Sequence, residues 1–232
     1  MISAIQNGFR ERVFSLPPSR QVIGFVIALF VAAIAACGAN QTTGGVDAET
    51  LRRSFTVGAR AGEVVPNFHL LDQDRHAITM RELRGKAIAL TFIYIRCPLP
   101  EFCPFVSKNF AAAARQLRDD PRLRSKVELL SVTIDPDNDT PDSLRAYRDT
   151  FVGRDAEAAR MWRLATGTRA EIRSMTEFFG LQARPQNGQI VHALRTVVID
   201  PRGRITHVDV GNAWKPVGLI AELARAVSNS TD

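Results

Sequence analysis

Cys97 and Cys103 are the residues whose type and spacing could do chemistry, a thiol pair enclosing Pro98-Leu99-Pro100-Glu101-Phe102. A thiolate is both a nucleophile and a metal ligand, so such a pair supports reversible disulfide exchange or soft-metal binding. An inert structural disulfide is the bland alternative. A loop this short closes little chain entropy, so that bridge would add only modest stability. Cys103 precedes Pro104, a residue favoured in the first turn of a helix. Unpaired backbone N–H groups and the helix dipole at such a point are expected to lower its pKa. Cys97 lies just past an apolar run and is expected to be the more exposed partner.

These positions require a strand that hands over to a helix. Ala87 to Ile95 is apolar, β-branched and aromatic, which suits a strand buried on both faces. Beyond the cysteines, Val106, Phe110, Ala113 and Leu117 repeat at helical spacing to about Arg118, and Asp119-Asp120-Pro121 breaks the run. The thiols therefore sit at the carboxyl end of a sheet, where α/β proteins place their sites. A second buried strand spans Val127 to Ile134, and Thr140-Pro141 opens a helix reaching about Phe151. Met161 to Ala165 reads as a short strand. Thr168-Arg169-Ala170-Glu171 reads as a capping box before a helix with Ile172, Met175 and Phe179 inward, stopped by Gly180. Residues 183–190 read as loop. Arg195 to Asp200 and Ile205 to Val210 form a hairpin around Pro201-Arg202-Gly203-Arg204, and a last helix covers Val217 to Val227. Upstream, Gly62 to Asp72 alternates like a half-buried edge strand and turns at Asp72-Gln73-Asp74-Arg75. The order predicts an α/β fold, a mixed sheet flanked by helices with an N-terminal β-hairpin extension.

The chain has 232 residues, 45% hydrophobic and 23% charged, the balance of a globular protein with a full core. No internal repeat or second folded domain is visible. Net charge is +6, but the arginines are scattered, with no basic run and little aromatic interleaving, which argues against nucleic acid as a partner. Arg10, Arg12 and Arg20 precede an apolar run from Val22 to Ala36 that suits a signal-peptide core and is short for a membrane span. Ile34-Ala35-Ala36 before Cys37 resembles the lipobox of bacterial lipoproteins, whose cysteine is acylated. An uncleaved anchor with Cys37 incidental is the plainer alternative. Residues 1–37 are thus expected to be a signal peptide or anchor, 38–54 a flexible polar linker and 55–232 the folded domain. Either reading tethers the domain to a bacterial membrane, facing the periplasm. Cys97 and Cys103 then remain as a pair in an oxidising compartment.

The segment GEVVPNFHLLDQDRHAITMRELRGKAIALTFIYIRCP resembles the entry to a thioredoxin-like or peroxiredoxin-like domain. Four further pieces make the chain similar to the Sco/SenC family of copper-handling proteins. They are the turn ending Cys103-Pro104, the stretch Ser131 to Asp135-Pro136 with Asp139-Thr140-Pro141, Trp162 with Thr166-Gly167-Thr168, and His192 before the strand ending Ile199-Asp200-Pro201-Arg202-Gly203. The likeness covers roughly residues 60–228. It implies copper bound by Cys97, Cys103 and His192, and a role in metallating the copper site of cytochrome c oxidase or keeping its thiols reduced. One departure stands out: the common family pattern has three residues between the cysteines, and here there are five.

Two thiolates and one imidazole make a soft site suited to Cu(I), tolerant of Cu(II) and acceptable to zinc. The expected function is therefore a membrane-tethered copper metallochaperone. The rival is a thiol–disulfide oxidoreductase or thiol peroxidase that uses Cys97 and Cys103 as a redox pair, with His192 incidental. His69, His76 and His207 lie in strand or turn contexts without a second candidate ligand nearby in sequence, and read as structural. Met161 and Met175 read as core. Asp135 and Asp139 read as turn and cap residues, Asp135 also as a group that could orient a ligand.

Overall fold

A computed structural model of the chain describes residues 58–186 and 189–230. The expected leader with Cys37 and the linker 38–54 lie outside the described residues. Among the described residues no helix is long and apolar enough to cross a membrane.

The elements run β1 (His69–Asp72), β2 (Ala77–Thr79), β3 (Ala87–Ile93), α1 (Cys103–Asp119), β4 (Val127–Thr133), α2 (Pro141–Val152) and α3 (Ala156–Met161). They continue as β5 (Trp162–Thr166), α4 (Arg169–Phe178), β6 (Arg184–Gln186), β7 (Gln189–Val191), β8 (Arg195–Ile199), β9 (Ile205–Val210) and α5 (Pro216–Ser228). Seven strands form one mixed sheet in the order β2-β1-β5-β4-β3-β8-β9, and β6-β7 make a separate two-stranded sheet. At the centre β3, β4 and β5 are parallel, joined through helices, while β8 runs antiparallel to β3. The N-terminal hairpin β1-β2 attaches antiparallel to β5 at one edge.

Both β3 and β4 are buried along their whole length, polar Thr91, Glu128, Ser131 and Thr133 included. Register assigns the faces. Phe92 lies beside Val132 and Ala165, one face; Thr91, Ser131 and Leu164 share the other face with Trp162. On the first face Phe92 meets Phe179, which in turn meets Phe68, with ring centroids 5.3 and 6.4 Å apart. On the second, Phe110 of α1 packs between Trp162 and Trp214 at 6.1 and 5.8 Å. The Trp162 indole N–H donates to the Ser131 hydroxyl at 2.9 Å, so the largest core side chain buries no orphan donor. Thr91 and Thr196 pair through their hydroxyls across β3 and β8 at 3.1 Å.

The turn chemistry works as read. Buried Asp200 accepts the N–H groups of Arg202 and Arg204 at 2.9 and 2.8 Å, and Gly203 supplies the positive φ of 85°. Thr140 and Thr168 cap α2 and α4 by accepting from Ser143 and Glu171. Five readings are corrected. The capping box at Thr168 is only half made, because the Glu171 carboxylate accepts the His69 N–H at 2.5 Å instead of turning back. The alternating stretch from Gly62 yields a strand only at His69–Asp72, with Val64 reduced to a single bridge to Arg204. The central strand stops at Ile93, two residues early, and Cys97 donates its N–H to the Tyr94 carbonyl in the turn that follows. Residues 183–190 are not a plain loop, since β6 and most of β7 lie within them. The short α3 precedes β5, where the sequence had suggested only the strand, and Met161 is half-buried against the core at its end.

Leu90 lies at 0% exposure in β3, an interior strand of the sheet. Leu90→Ala is expected to cost about 2–5 kcal/mol, since the rigid sheet around it cannot collapse into the space. Chemical denaturation of the two chains, compared at equal slope, measures it.

Candidate functional site

The site forms where β3 ends and β8 begins. Because β8 is antiparallel to β3, residues just before β8 arrive at the edge where β3 hands over to α1. Cys97 follows β3 by four residues, Cys103 is the first residue of α1, and His192 sits between β7 and β8. Eighty-nine residues separate Cys103 from His192 in sequence, yet Cys103 Sγ and His192 Nε2 are 3.8 Å apart. Neither cysteine is in a disulfide; Cys103 is buried and Cys97 half-buried. The Cys97 thiol points to the Leu99 carbonyl at 3.9 Å, and the two thiols lie near enough for each to shift the other's pKa. All three residues singled out in the sequence thus meet in one place.

The thiols do not titrate as their positions in sequence suggested. A hydrogen bond from Cys103 holds Cys97 well below the ordinary thiol range, at about 5, against the opposing effect of partial burial. Cys103 is pushed up, first because its S–H is committed to Cys97 and next by its own burial. The helix N-terminus was expected to make Cys103 the acidic thiol, and that is corrected here. At 0% exposure, desolvation and the shared proton outweigh a dipole worth roughly 1 kcal/mol. The direction of the two shifts places thiolate character on the more accessible sulfur, Cys97.

His192 is arranged to present a lone pair. Its Nδ1 lies 3.0 Å from the Ala193 carbonyl, which can only accept, so Nδ1 carries the hydrogen and Nε2, facing Cys103, is free to accept or ligate. Burial lowers its pKa, which keeps the ring neutral. Ligands about 2.3 Å (sulfur) and 2.0 Å (nitrogen) from one ion stand roughly 3.6–3.8 Å apart. The Cys103–His192 separation fits that span, and the donor types fit a soft ion. Among the described residues no three His, Cys, Asp or Glu side chains already enclose a metal position. Closure needs the Cys97 sulfur to turn from the Leu99 carbonyl towards the other two.

Carboxylates brace the cysteine turn from the end of β4. Asp139, 1% exposed, accepts the Ile95 N–H at 3.1 Å and the Thr133 hydroxyl at 2.5 Å. Burial raises its pKa while those two bonds oppose the shift. Asp135 accepts from Arg96 at 2.9 Å and from Asn138 at 2.8 Å. Asp139 is thus more than a turn residue, since it fixes the backbone two positions before Cys97. Tyr94 was read only as a strand residue. Its ring in fact stands edge-on to His192, with centroids 6.0 Å apart, and is buried. A hydroxyl-bearing aromatic three residues before a reactive cysteine was the available signal. The remaining histidines stay apart from the site: His76 faces Asp72, and His207 lies between Asp209 and Glu222.

A family model described as SCO1/SenC matches residues 57–228 of the chain. An SCO2-like protein of Rickettsia typhi is 29% identical over 147 residues, 59% of this chain and 65% of its own length. A protein of Stutzerimonas stutzeri named as copper-binding is 28% identical over 105 residues, 44% of this chain and 50% of its own. The chain spans about half to two thirds of the length of these curated relatives. Among solved structures, copper-bound ScoI of Bradyrhizobium japonicum superposes with a TM-score of 0.59 at 24% identity, covering 71% of this chain and all of that one. A SCO1/SenC family lipoprotein of Bacillus anthracis gives 0.62 at 22%, covering 73% and 99%. These likenesses establish the fold.

Alkylation of the metal-free, reduced chain is expected to hit Cys97 and spare Cys103, at a rate nearly flat from pH 7 to 8 and falling as pH drops through about 5. Cys103→Ala removes the donated hydrogen bond and should move that midpoint upward; an unchanged midpoint refutes the shared proton. Sign follows from the depression: the Cys97 contribution to folding is complete above the ordinary thiol pKa and is lost as pH falls through the folded value. Asp139→Ala leaves the Ile95 N–H without its acceptor and should cost about 1–3 kcal/mol in denaturant titration.

Proposed function

Because the chain belongs to the SCO1/SenC family, we propose that it is a copper metallochaperone that carries one copper ion on Cys97, Cys103 and His192. The observation that carries this reading is the 3.8 Å approach of the His192 Nε2 lone pair to the Cys103 sulfur, with Cys97 in the adjoining turn. Copper is cargo here, so the site has to take the ion up and give it away. A neutral imidazole and an accessible thiolate bind without first shedding protons. A buried Cys103 thiol loses its proton only as the ion arrives, which couples loading to local pH. Two sulfurs and one nitrogen match the soft Cu(I) ion, and the same set holds Cu(II) through thiolate bonds. Copper-bound relatives with this fold and a relative named as copper-binding support the cargo.

The client we propose is the copper-bearing subunit of cytochrome c oxidase or a comparable exported cuproprotein, in keeping with a family of oxidase assembly proteins. The address we propose is a bacterial membrane, with acylated Cys37 as anchor, residues 38–54 as tether and the folded domain on the periplasmic side. An ion handed over outside the cytoplasm needs a carrier that stays near the membrane-bound recipient.

One observation favours a second reading. An accessible thiolate beside a buried thiol that donates to it is also the arrangement of an attacking and a resolving cysteine. In that reading the chain reduces a disulfide on its client, and His192 only lines the pocket.

Competition with a chelator of known Cu(I) affinity separates the two. The chaperone reading expects one copper per chain, a loss of about ten-fold or more in affinity for His192→Ala, and no binding for Cys97→Ser with Cys103→Ser. Unchanged stoichiometry and affinity in His192→Ala would sink the three-ligand site. Steady turnover of a disulfide substrate by a chain that binds no copper would establish the reductase instead.

A further inference from the structure

The loop between β9 and α5, residues 211–215, touches both arms of the site. Gly211 turns the chain out of β9 with a φ of 86°. Its N–H donates to the Leu194 carbonyl at 2.9 Å, two residues past His192. Asn212 reaches the other arm, with its side-chain amide 2.5 Å from the Glu101 carbonyl, two residues before Cys103. A carbonyl only accepts, so the amide nitrogen is the donor. Contacts with α1 hold the loop itself. The Asn109 amide donates to the Trp214 carbonyl at 3.3 Å, and the Trp214 ring stands edge-on to Phe110 with centroids 5.8 Å apart. Lys215 Nζ lies 5.7 Å from the centroid of the Phe105 ring.

The cysteine loop has few other holds. Pro98, Leu99, Pro100 and Glu101 are all exposed, and the two prolines have no N–H to give. The Leu99 carbonyl is used inside the loop, by the Phe102 N–H and the Cys97 thiol. Among the described residues, the bond from Asn212 is the hydrogen bond that ties residues 98–101 to the rest of the fold. Phe102 packs against the core. With Glu101 held as well, Pro98-Leu99-Pro100 is the part left untied.

We propose that Asn212 is a positioning residue, which holds the Glu101 carbonyl, fixes the exposed part of the cysteine loop and so keeps Cys97 within reach of Cys103 and His192. The consequence for metal rests on the copper-chaperone reading; the tie between the two loops does not. A shorter untied span leaves Cys97 fewer places to be, so binding spends less on ordering the loop.

Two variants test this. Asn212→Asp keeps the shape of the side chain and removes the N–H; Asn212→Ala removes both. In the metal-free, reduced full chain, each is expected to speed amide exchange at Phe102 about five-fold, with Leu90 and Val132 unchanged. In both, Cu(I) affinity should fall about five-fold. The Cu(II) form separates positioning from a general loosening. Its sulfur-to-copper charge-transfer band should weaken, because Cys97 is the ligand set free. The nitrogen hyperfine signature of His192 should stay, because the Gly211 N–H still holds that arm. Exchange at Phe102 unaltered in both variants, or accelerated equally at Leu90 and Val132, overturns the proposal. So does an Asn212→Asp chain that binds copper as tightly as the parent, or a nitrogen signature that fades together with the sulfur band. Should the parent chain bind no copper at all, the chaperone reading falls, and the metal-free exchange comparison still decides the role of Asn212.

Discussion

The site depends on one pairing, the antiparallel ladder between β3 and β8 in which Thr91 faces Thr196 and Ile88 faces Ile199. Parallel strands begin at the same sheet edge, so a parallel β8 would carry the residues before it to the far end of the sheet from Cys97. Reversal places them beside the exit of β3. The distance between His192 and Cys103 is thus set by sheet topology first and by local contacts second. Burial of both central strands and the hydroxyl pair at Thr91–Thr196 make that register expensive to shift.

Given that frame, electrostatics decides what the thiols become. The position at the head of α1 favours a thiolate at Cys103, and complete burial opposes it. Burial prevails because a charge in a dry pocket forfeits more solvation than a helix end returns. The charge moves to Cys97, which keeps some contact with solvent and receives the neighbour's S–H. One buried proton thereby makes the accessible sulfur reactive and keeps the inner one in reserve. Metal capture and disulfide exchange both start from that state, so the thiols by themselves do not choose between them. The imidazole adds a third donor to the thiols, an Nε2 lone pair 3.8 Å from the Cys103 sulfur with Nδ1 held by the Ala193 carbonyl.

Much of this was legible in the sequence, and unevenly so. The central strands, α1, α2, α4, the closing hairpin and α5 announce themselves through long apolar periods or turn residues with fixed geometry, such as Asp200 and Gly203. Cys97, Cys103 and His192 stood out by type and by likeness to a family. The β6-β7 hairpin did not, because three-residue strands with Pro185 inside one of them carry no alternation to detect. The six-residue α3 is too short for a helical period to show. Tyr94 was hidden for another reason. A tyrosine at the end of an apolar run looks like core, and only the return of a distant segment sets its ring against His192. Asp139 was legible as a loop residue, yet its hold on the Ile95 N–H is a tertiary fact.

The five-residue spacing between the cysteines raises the question of whether a longer loop must widen the bite. In a free chain it would. Here the extra length is taken up in a turn, with the Phe102 N–H on the Leu99 carbonyl at 3.0 Å, and Asn212 donating to the Glu101 carbonyl from across the site. Phe102 packs against the core, which pins the loop at its helical end. At the other end the Ile95 and Arg96 contacts to Asp139 and Asp135 pin the strand exit. Two fixed ends determine where the sulfurs stand, and the residues between them need only connect. That is why Cys103 still meets His192 and Cys97 still lies near both despite the departure from the family pattern. Loop length in such a site constrains the sulfurs less than the anchorage of its two ends does.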